Sequence, residues 1–393
     1  MSNKLKIGLF GYGIVGQGFK TVLDRSPNLN AEIVKICVKN NKQTEERNLV
    51  NSLLTFNAEE IFSNPEIDII IEAIDDAEFA LVIAEKALQN GKSLVTANKK
   101  MIAENFEKIF QLQQKYWKPI LYEAACCASI PIIRNLEEYY DNDLINSVEG
   151  IFNGSTNYIL TNMFDNGKSY AESLKEAQEK GFAESNPKLD VEGYDSKYKL
   201  TIVIAHAFGE FINPKEIFNF GINKINDFDI KYCNEKGLKI KLIAKSYKID
   251  NKIYAYVFPK FTKINDRFFQ VEAEKNGVSV ESVFLDKQFF IGKGAGGIAT
   301  GSALLADVSA LKHNYKYEYK KKNGIEGFKI SNEQILKAYI RFDNDKAVNK
   351  PIFHNIEETY TNGNTKYIIG EIYLDKFIES GLAKREDVNI VLC

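Results

Sequence analysis

The sequence predicts an α/β protein: a doubly wound parallel sheet of Rossmann type, then an α+β domain and a small C-terminal region. Three observations carry that expectation. Over the first third, short apolar runs alternate with amphipathic segments, the order of parallel strands and crossover helices. A G-x-G-x-x-G run, Gly11-Tyr12-Gly13-Ile14-Val15-Gly16, falls between the first such strand and the first such helix. From Leu238 to Phe290 the apolar period shifts toward two, which calls for hairpin-connected strands.

The first strand is Lys6–Phe10, and further strands follow at Glu32–Val38, Asp68–Ile74, Ser93–Ala97 and Pro119–Ala124. Helical patterns fill Gly13–Asp24, Ala77–Asn90 and Glu104–Trp117, and Gly91 is a fitting stop for the second of them. Pro131–Tyr140 reads as a helix and Ile145–Asn153 as a strand. Helices follow at Thr156–Asp165 and Ser169–Lys180, a polar loop at Gly181–Glu192 and a helix at Tyr194–Phe211. A turn at Asp250-Asn251 joins strands Leu238–Ile249 and Ile253–Pro259. A Gly-rich loop, Gly292–Gly301, precedes a helix at Ala303–Leu311. The end of the chain carries strands at Lys337–Phe342, Lys366–Tyr373 and Asn389–Leu392. The domains are therefore drawn at 1–130 (completed by about 295–320), 131–294 and 321–393.

A length of 393 residues is enough for two or three domains that need no disulfide or metal staple. Lys and Arg number 51 against 53 Asp and Glu, so a basic nucleic-acid surface is not expected. No apolar run approaches a membrane span and no signal-peptide core precedes the first strand. The five cysteines give no C-x-x-C pair. A cytoplasmic protein with reduced thiols is expected.

The glycine run points to a dinucleotide. Its first Gly permits the tight turn, its second admits a pyrophosphate to the backbone, and its third lets helix pack on strand. The helix N-terminus adds free N–H groups and a positive dipole end. After the second strand comes Lys39-Asn40-Asn41-Lys42, with no acid before Glu45. An acid there would accept from the ribose hydroxyls, so its absence favours NADP(H), with Lys39 or Lys42 near the 2′-phosphate and NAD(H) as the alternative. The densest polar cluster is 181–200. If Tyr194 begins a helix, Asp195 and Lys199 stand at i,i+4 on one face, and Glu184 and Asp190 crowd the loop before them. An exposed helix salt bridge is the commoner meaning of such a pair. The apolar run from Leu200 to Phe208 carries this face into a core instead.

Over about residues 5–312 the sequence resembles the homoserine dehydrogenases. The stretch Gly-x-Ala-Glu…Pro-x-x-Asp-Val-x-Gly-x-Asp-x-x-x-Lys at 181–199 is similar to that family's signature, and Asn153-Gly154-Ser155-Thr156-Asn157-Tyr158 resembles its Asn-Gly-Thr-Thr-Asn-Tyr segment. Thr96-Ala97-Asn98-Lys99 and Gly294-Ala295-Gly296-Gly297 with Ala306-Asp307 resemble two further family segments. The resemblance implies reversible NAD(P)H-dependent reduction of L-aspartate 4-semialdehyde to L-homoserine. It implies a small-molecule substrate as partner, without nucleic acid or membrane, and a homodimer built through the second domain's sheet. The implied catalytic residues are Lys199, Lys99 and Asp195; Glu184, Asp190, Asp195 and Lys199 would bind substrate. Gly11, Gly13, Ile14, Val15, Gly16, Lys39, Thr96, Ala97, Lys99 and Gly296 would bind cofactor. A Na⁺ or K⁺ ion would take Glu123 with the main-chain carbonyls of Cys126, Ala128 and Ile130. The length leaves no room for an added kinase domain, which implies the monofunctional form, and residues 330–393 would be a shortened ACT-like tail lacking room for its first helix. The chain departs from the family pattern in four places. Cys127-Ala128-Ser129 stands for a Gly-rich turn, Asp75-Asp76 for a Gly pair, Asn186 for an Asp and Ala299 for a Pro. The competing readings are a silent nucleotide-binding regulator of the same fold and a related amino-acid dehydrogenase.

Overall fold

The computed structural model describes residues 4–39, 51–141, 144–323, 327–343, 350–363 and 365–393. They form two compact units, Met1–Asp141 with Lys293–Asn323 and Asn142–Gly292 with Gly324–Cys393.

The first unit runs β1 (Leu5–Phe10), α1 (Ile14–Asp24), β2 (Ala31–Cys37), β3 (Leu54–Thr55), α2 (Glu59–Phe62), β4 (Ile69–Glu72), α3 (Ala77–Gln89), β5 (Ser93–Thr96), α4 (Lys99–Glu104), α5 (Phe106–Tyr116), β6 (Ile120–Leu121) and α6 (Ile132–Arg134). Its six strands lie in the order β3-β2-β1-β4-β5-β6, all parallel. The order reverses between β1 and β4, and the carboxyl ends there open the crevice in which such sheets hold ligands. Burial on both faces explains why β4 is written Ile69-Ile70-Ile71, an unbroken apolar run.

In the second unit the elements are β7 (Ile145–Ile151), α7 (Gly154–Asp165), α8 (Tyr170–Glu179), α9 (Lys188–Val191), α10 (Tyr194–Phe208), β8 (Phe218–Asn219), α11 (Asp227–Lys236), β9 (Leu238–Ile249), β10 (Lys252–Lys263), β11 (Lys275–Ser282) and β12 (Asp286–Lys293). The first unit is then completed by α12 (Gly297–Lys312). The chain ends with β13 (Lys329–Ile330), β14 (Ile335–Phe342), β15 (Phe353–Asn362), β16 (Thr365–Tyr373), α13 (Leu374–Glu379) and β17 (Val388–Leu392). The second unit's mixed sheet has 11 strands in the order β12-β11-β7-β9-β10-β17-β14-β16-β15, with β8 and β13 also paired to β10. Helix α10 is buried almost all round, its nearly apolar stretch Leu200–Phe208 carrying the polar first turns into the core with it.

Several sequence expectations change. The helix expected from Glu104 starts at Lys99 and is broken at Asn105, because Asn98 caps its first turn. Pro131–Tyr140 is a three-residue α-turn followed by a π-turn over Asn135–Tyr139. The loop 181–192 holds the short helix α9. The Gly292–Gly301 loop ends early: Gly297 already begins α12, where a Cβ on Gly18 of α1 would lie 1.9 Å from the Gly297 carbonyl oxygen. Those glycines are therefore helix-packing residues as much as loop residues. Strand β10 continues past Pro259 to Lys263. Residues 335–392 run β-β-β-α-β, with only a 3₁₀ turn at Lys350–Ile352 between the first two strands among the described residues, and they extend the second unit's sheet. Buried Asp229 fixes them to α11. It accepts from Tyr339 Oη (3.0 Å), Arg341 Nε (2.9 Å) and Asn389 Nδ2 (2.9 Å).

Candidate active site

In the first unit, the turn after β1 has the form a dinucleotide needs. Gly11 sits at φ +88°, and a Cβ there would stand 2.4 Å from the Ala73 carbonyl oxygen. A Cβ on Gly16 would come within 2.3 Å of the Gly11 oxygen. Gly13 differs: a Cβ there would meet nothing within 4 Å. Two glycines are thus required by the fold, while the middle one faces open space at the helix N-terminus, where a phosphate needs backbone N–H groups. Ile14 is exposed and Val15 half-buried beside it. Lys39 is exposed two residues past the end of β2, and Lys42 and Glu45 lie outside the described residues. Gly296, at φ +113°, caps the start of α12.

A polar network that the sequence reading missed runs beneath this crevice. The Glu72 carboxyl, fully buried at the end of β4, accepts from the Thr96 hydroxyl and from the Ile74 N–H at 2.8 Å. Thr96 Oγ1 in turn accepts from the Asn98 N–H (2.9 Å). Asn98 donates to the Ile74 carbonyl (3.1 Å) and caps α4 at Met101 N (3.0 Å). This chain fixes the turn Thr96-Ala97-Asn98-Lys99 and sets Lys99 at the first position of α4. Burial pushes the Glu72 carboxyl up to about 7. An acid closing a strand of three isoleucines was the available signal. Asp76, where the family pattern has glycine, caps α3 by accepting from Phe79 N (3.0 Å).

Within the second unit, the polar cluster of the sequence closes into a buried site. Asp195 and Lys199, 4% and 8% exposed, pair through Oδ2 and Nζ at 2.8 Å, so this is an interior pair and not a solvated helix face. Lys199 Nζ also donates to the Phe152 carbonyl (2.7 Å), which accepts from Asn276 Nδ2 at 3.2 Å. Asn153 Nδ2 donates to Asp190 Oδ1 (2.7 Å) and Asp195 Oδ2 (2.8 Å). Asp190, Asp195 and Lys199 are thus brought together. Glu184 stays on the exposed loop. That loop is tied down by Ser155 Oγ, which donates to the Phe182 carbonyl, and by the Tyr158 ring against Phe182. A lysine held between a carboxylate and a carbonyl can give a proton to an oxygen as its ammonium and take one back as its amine.

The residues expected around a cation lie together in the first unit. Glu123 is 2% exposed, and its oxygens accept from the N–H groups of Ile133 and Arg134 at 2.9 Å each. Buried Asp307 accepts from Glu123 N (2.9 Å) and pairs with Arg134 Nη2 (2.9 Å). Burial, helped by Asp307, pushes the Glu123 carboxyl up to about 8, and burial pushes Asp307 to about 6 against the pull of Arg134. Cys127 and Ala128 sit at φ +53° and +42°, the left-handed geometry expected of the glycines they replace. The Ile130 carbonyl accepts from Ile132 N at 2.8 Å. Two buried acids thus lie beside one guanidinium, and of the two only Asp307 is ion-paired to it.

Residues 11–123 match the family model described as the NAD binding domain of homoserine dehydrogenase, and residues 131–309 match the homoserine dehydrogenase model. A homoserine dehydrogenase of Neisseria gonorrhoeae is 34% identical over 310 residues, covering 77% of this chain and 71% of that protein. One from Lactococcus lactis is 33% identical over 313 residues, covering 77% and 73%. A crystal structure of a homoserine dehydrogenase from Thiobacillus denitrificans superposes with a TM-score of 0.86 at 30% identity, covering 99% of this chain and 97% of that one.

Proposed function

The chain belongs to the homoserine dehydrogenase family, interconverting L-homoserine and L-aspartate 4-semialdehyde as an NAD(P)-dependent oxidoreductase, and we propose how its residues divide that work. The observation that carries the assignment is the buried Lys199–Asp195 pair joined through Asn153 to Asp190.

The dinucleotide, when bound, would supply hydride for the reduction and take it up in the oxidation. Lys199 donates a proton to the developing alkoxide in reduction and accepts it in oxidation. Asp195 holds the ammonium in place and offsets its charge. Lys99, fixed at the start of α4, joins the catalytic set on the strength of the segment Thr96–Lys99 that the family shares. Asp190 and Glu184 receive the substrate's α-ammonium and polar end. Gly11, Gly13 and Gly16 with Ile14 and Val15 cradle the pyrophosphate, and Thr96, Ala97, Lys99 and Gly296 complete the cofactor's contacts. Exposed Lys39 after an acid-free strand end favours NADP(H).

A Na⁺ or K⁺ ion at Glu123, Cys126, Ala128 and Ile130 would favour the ionised form of the Glu123 carboxyl, which burial otherwise holds neutral up to about pH 8. A homodimer through the second unit is supported by apolar side chains left exposed near the sheet edge. Val283 and Phe284 in the β11–β12 turn are 51% and 72% exposed, and Ile291 on edge strand β12 is 53% exposed. No described helix is long and apolar enough to cross a membrane, and the five cysteines are free, which suits a cytoplasmic site of action.

Homoserine oxidation followed at 340 nm, with NADP⁺ and NAD⁺ at matched concentrations, tests the scheme. Turnover with kcat/KM higher for NADP⁺ is expected. No turnover in folded protein that binds NADPH would favour a silent regulator instead.

A further inference from the structure

Asn153 is 4% exposed and ends the loop between β7 and α7. Its amide orientation is set from both sides. Oδ1 accepts from Thr156 N at 2.8 Å and caps α7, while Nδ2 meets two carboxylates, Asp190 Oδ1 at 2.7 Å and Asp195 Oδ2 at 2.8 Å. The flipped amide would turn a carbonyl oxygen onto two acids and an N–H onto the Thr156 N–H, so one orientation alone satisfies all three partners. Both amide protons are committed to carboxylates. The same Asp195 Oδ2 also receives Lys199 Nζ at 2.8 Å.

We infer that Asn153 is the positioning residue that couples substrate binding to proton transfer, its amide holding Asp190, which receives the substrate, and Asp195, which orients Lys199, in one rigid array. This rests on the reading of Lys199 as the proton-transfer group and Asp190 as a substrate ligand. Without the amide, two neighbouring carboxylates would repel each other and rotate toward other partners. Asp195 would swing from Lys199, and Asp190 would lose its preset orientation toward an ammonium. The helix cap by itself does not require this: any side chain with an acceptor oxygen at this position caps α7.

That difference supplies the experiment. Asn153→Asp keeps an equally good capping oxygen and removes both donors; Asn153→Ser keeps the cap and one shorter donor without added charge. Steady-state kinetics with homoserine, NADPH binding and thermal melting are measured for both, beside Lys199→Ala. Hydrogen bonds to charged groups are typically worth about tenfold to a hundredfold each. Asn153→Asp should therefore lower kcat by about a hundredfold and raise the homoserine KM by about tenfold, with NADPH affinity within about threefold. Asn153→Ser should fall between it and the unaltered protein in both parameters. Should Asn153→Asp fail to fold, Asn153→Ser decides: a joint loss in kcat and KM supports the coupling, and unaltered values overturn it. If Lys199→Ala is inactive while Asn153→Asp retains kcat and KM, this inference fails alone. If Lys199→Ala keeps full kcat, the reading beneath it fails too.

Discussion

At the scale of single residues, the proposed division between proton transfer and cofactor binding is tested at Lys199. Lys199→Ala should lower kcat by about 10²–10⁴, the usual worth of general acid–base assistance, while leaving NADPH affinity within a few-fold. Loss of NADPH binding instead would mean that Lys199 serves the cofactor. Glu72 offers a pH test. Its carboxyl has a folded-state pKa of about 7 against an ordinary 4.5, because burial penalises the charged form. The unfolded chain loses that proton first as pH rises, so stability is fully present below about 4.5 and declines until about 7. Glu72→Gln, neutral throughout, should escape the decline. Its melting temperature relative to the unaltered protein should rise between pH 5 and pH 7 and then level. A constant difference across that range would show that Glu72 does not change protonation there. The Asp195–Lys199 pair was legible in the sequence from its i,i+4 spacing. That Asn153 and Glu72 also belong to the polar machinery was not, because each acts through partners far along the chain.

For the elements, the glycines of α1 divide into two kinds. Gly13→Ala places its Cβ in open space at an ordinary φ of −76°, so the melting temperature should hold or rise slightly. The added methyl stands where the pyrophosphate approaches, so NADPH binding should weaken by at least about tenfold. Gly18→Val drives a side chain into the Gly297 backbone of α12 and should cost about 2 kcal/mol or more. A variant pair in which Gly18→Val alone weakened NADPH binding and Gly13→Ala did not would reverse the assignment of the turn. The glycine run was readable because its spacing repeats a local requirement. The start of α12 at Gly297 was not, since a helix opening with two glycines and an alanine is justified only by close packing against α1.

In the whole molecule, two features are long-range. Asp229 joins α11 to the C-terminal strands through Tyr339, Arg341 and Asn389. Asp229→Ala leaves Arg341, itself 5% exposed, as an uncompensated buried charge and should cost about 3–5 kcal/mol by denaturant unfolding. A loss below about 1 kcal/mol would mean the C-terminal strands are held by their apolar core instead. If the proposed dimer forms through the second unit's sheet edge, light scattering should give a dimer's mass for the unaltered protein and a monomer's for Phe284→Glu, with the fold kept. An unchanged mass would move the interface elsewhere. The sequence by itself determined the parallel α/β order of the first unit, the nucleotide turn and the acid–lysine pair. In each, the physical requirement repeats within a few residues: an apolar period, a glycine spacing, one turn of helix. The apolar run after the pair also announced its burial; tertiary structure alone decided that Asn153 binds two acids 37 and 42 residues further on, and that the last strands extend the second sheet. Partner choice between distant segments depends on which of them pack together, and no local pattern records that.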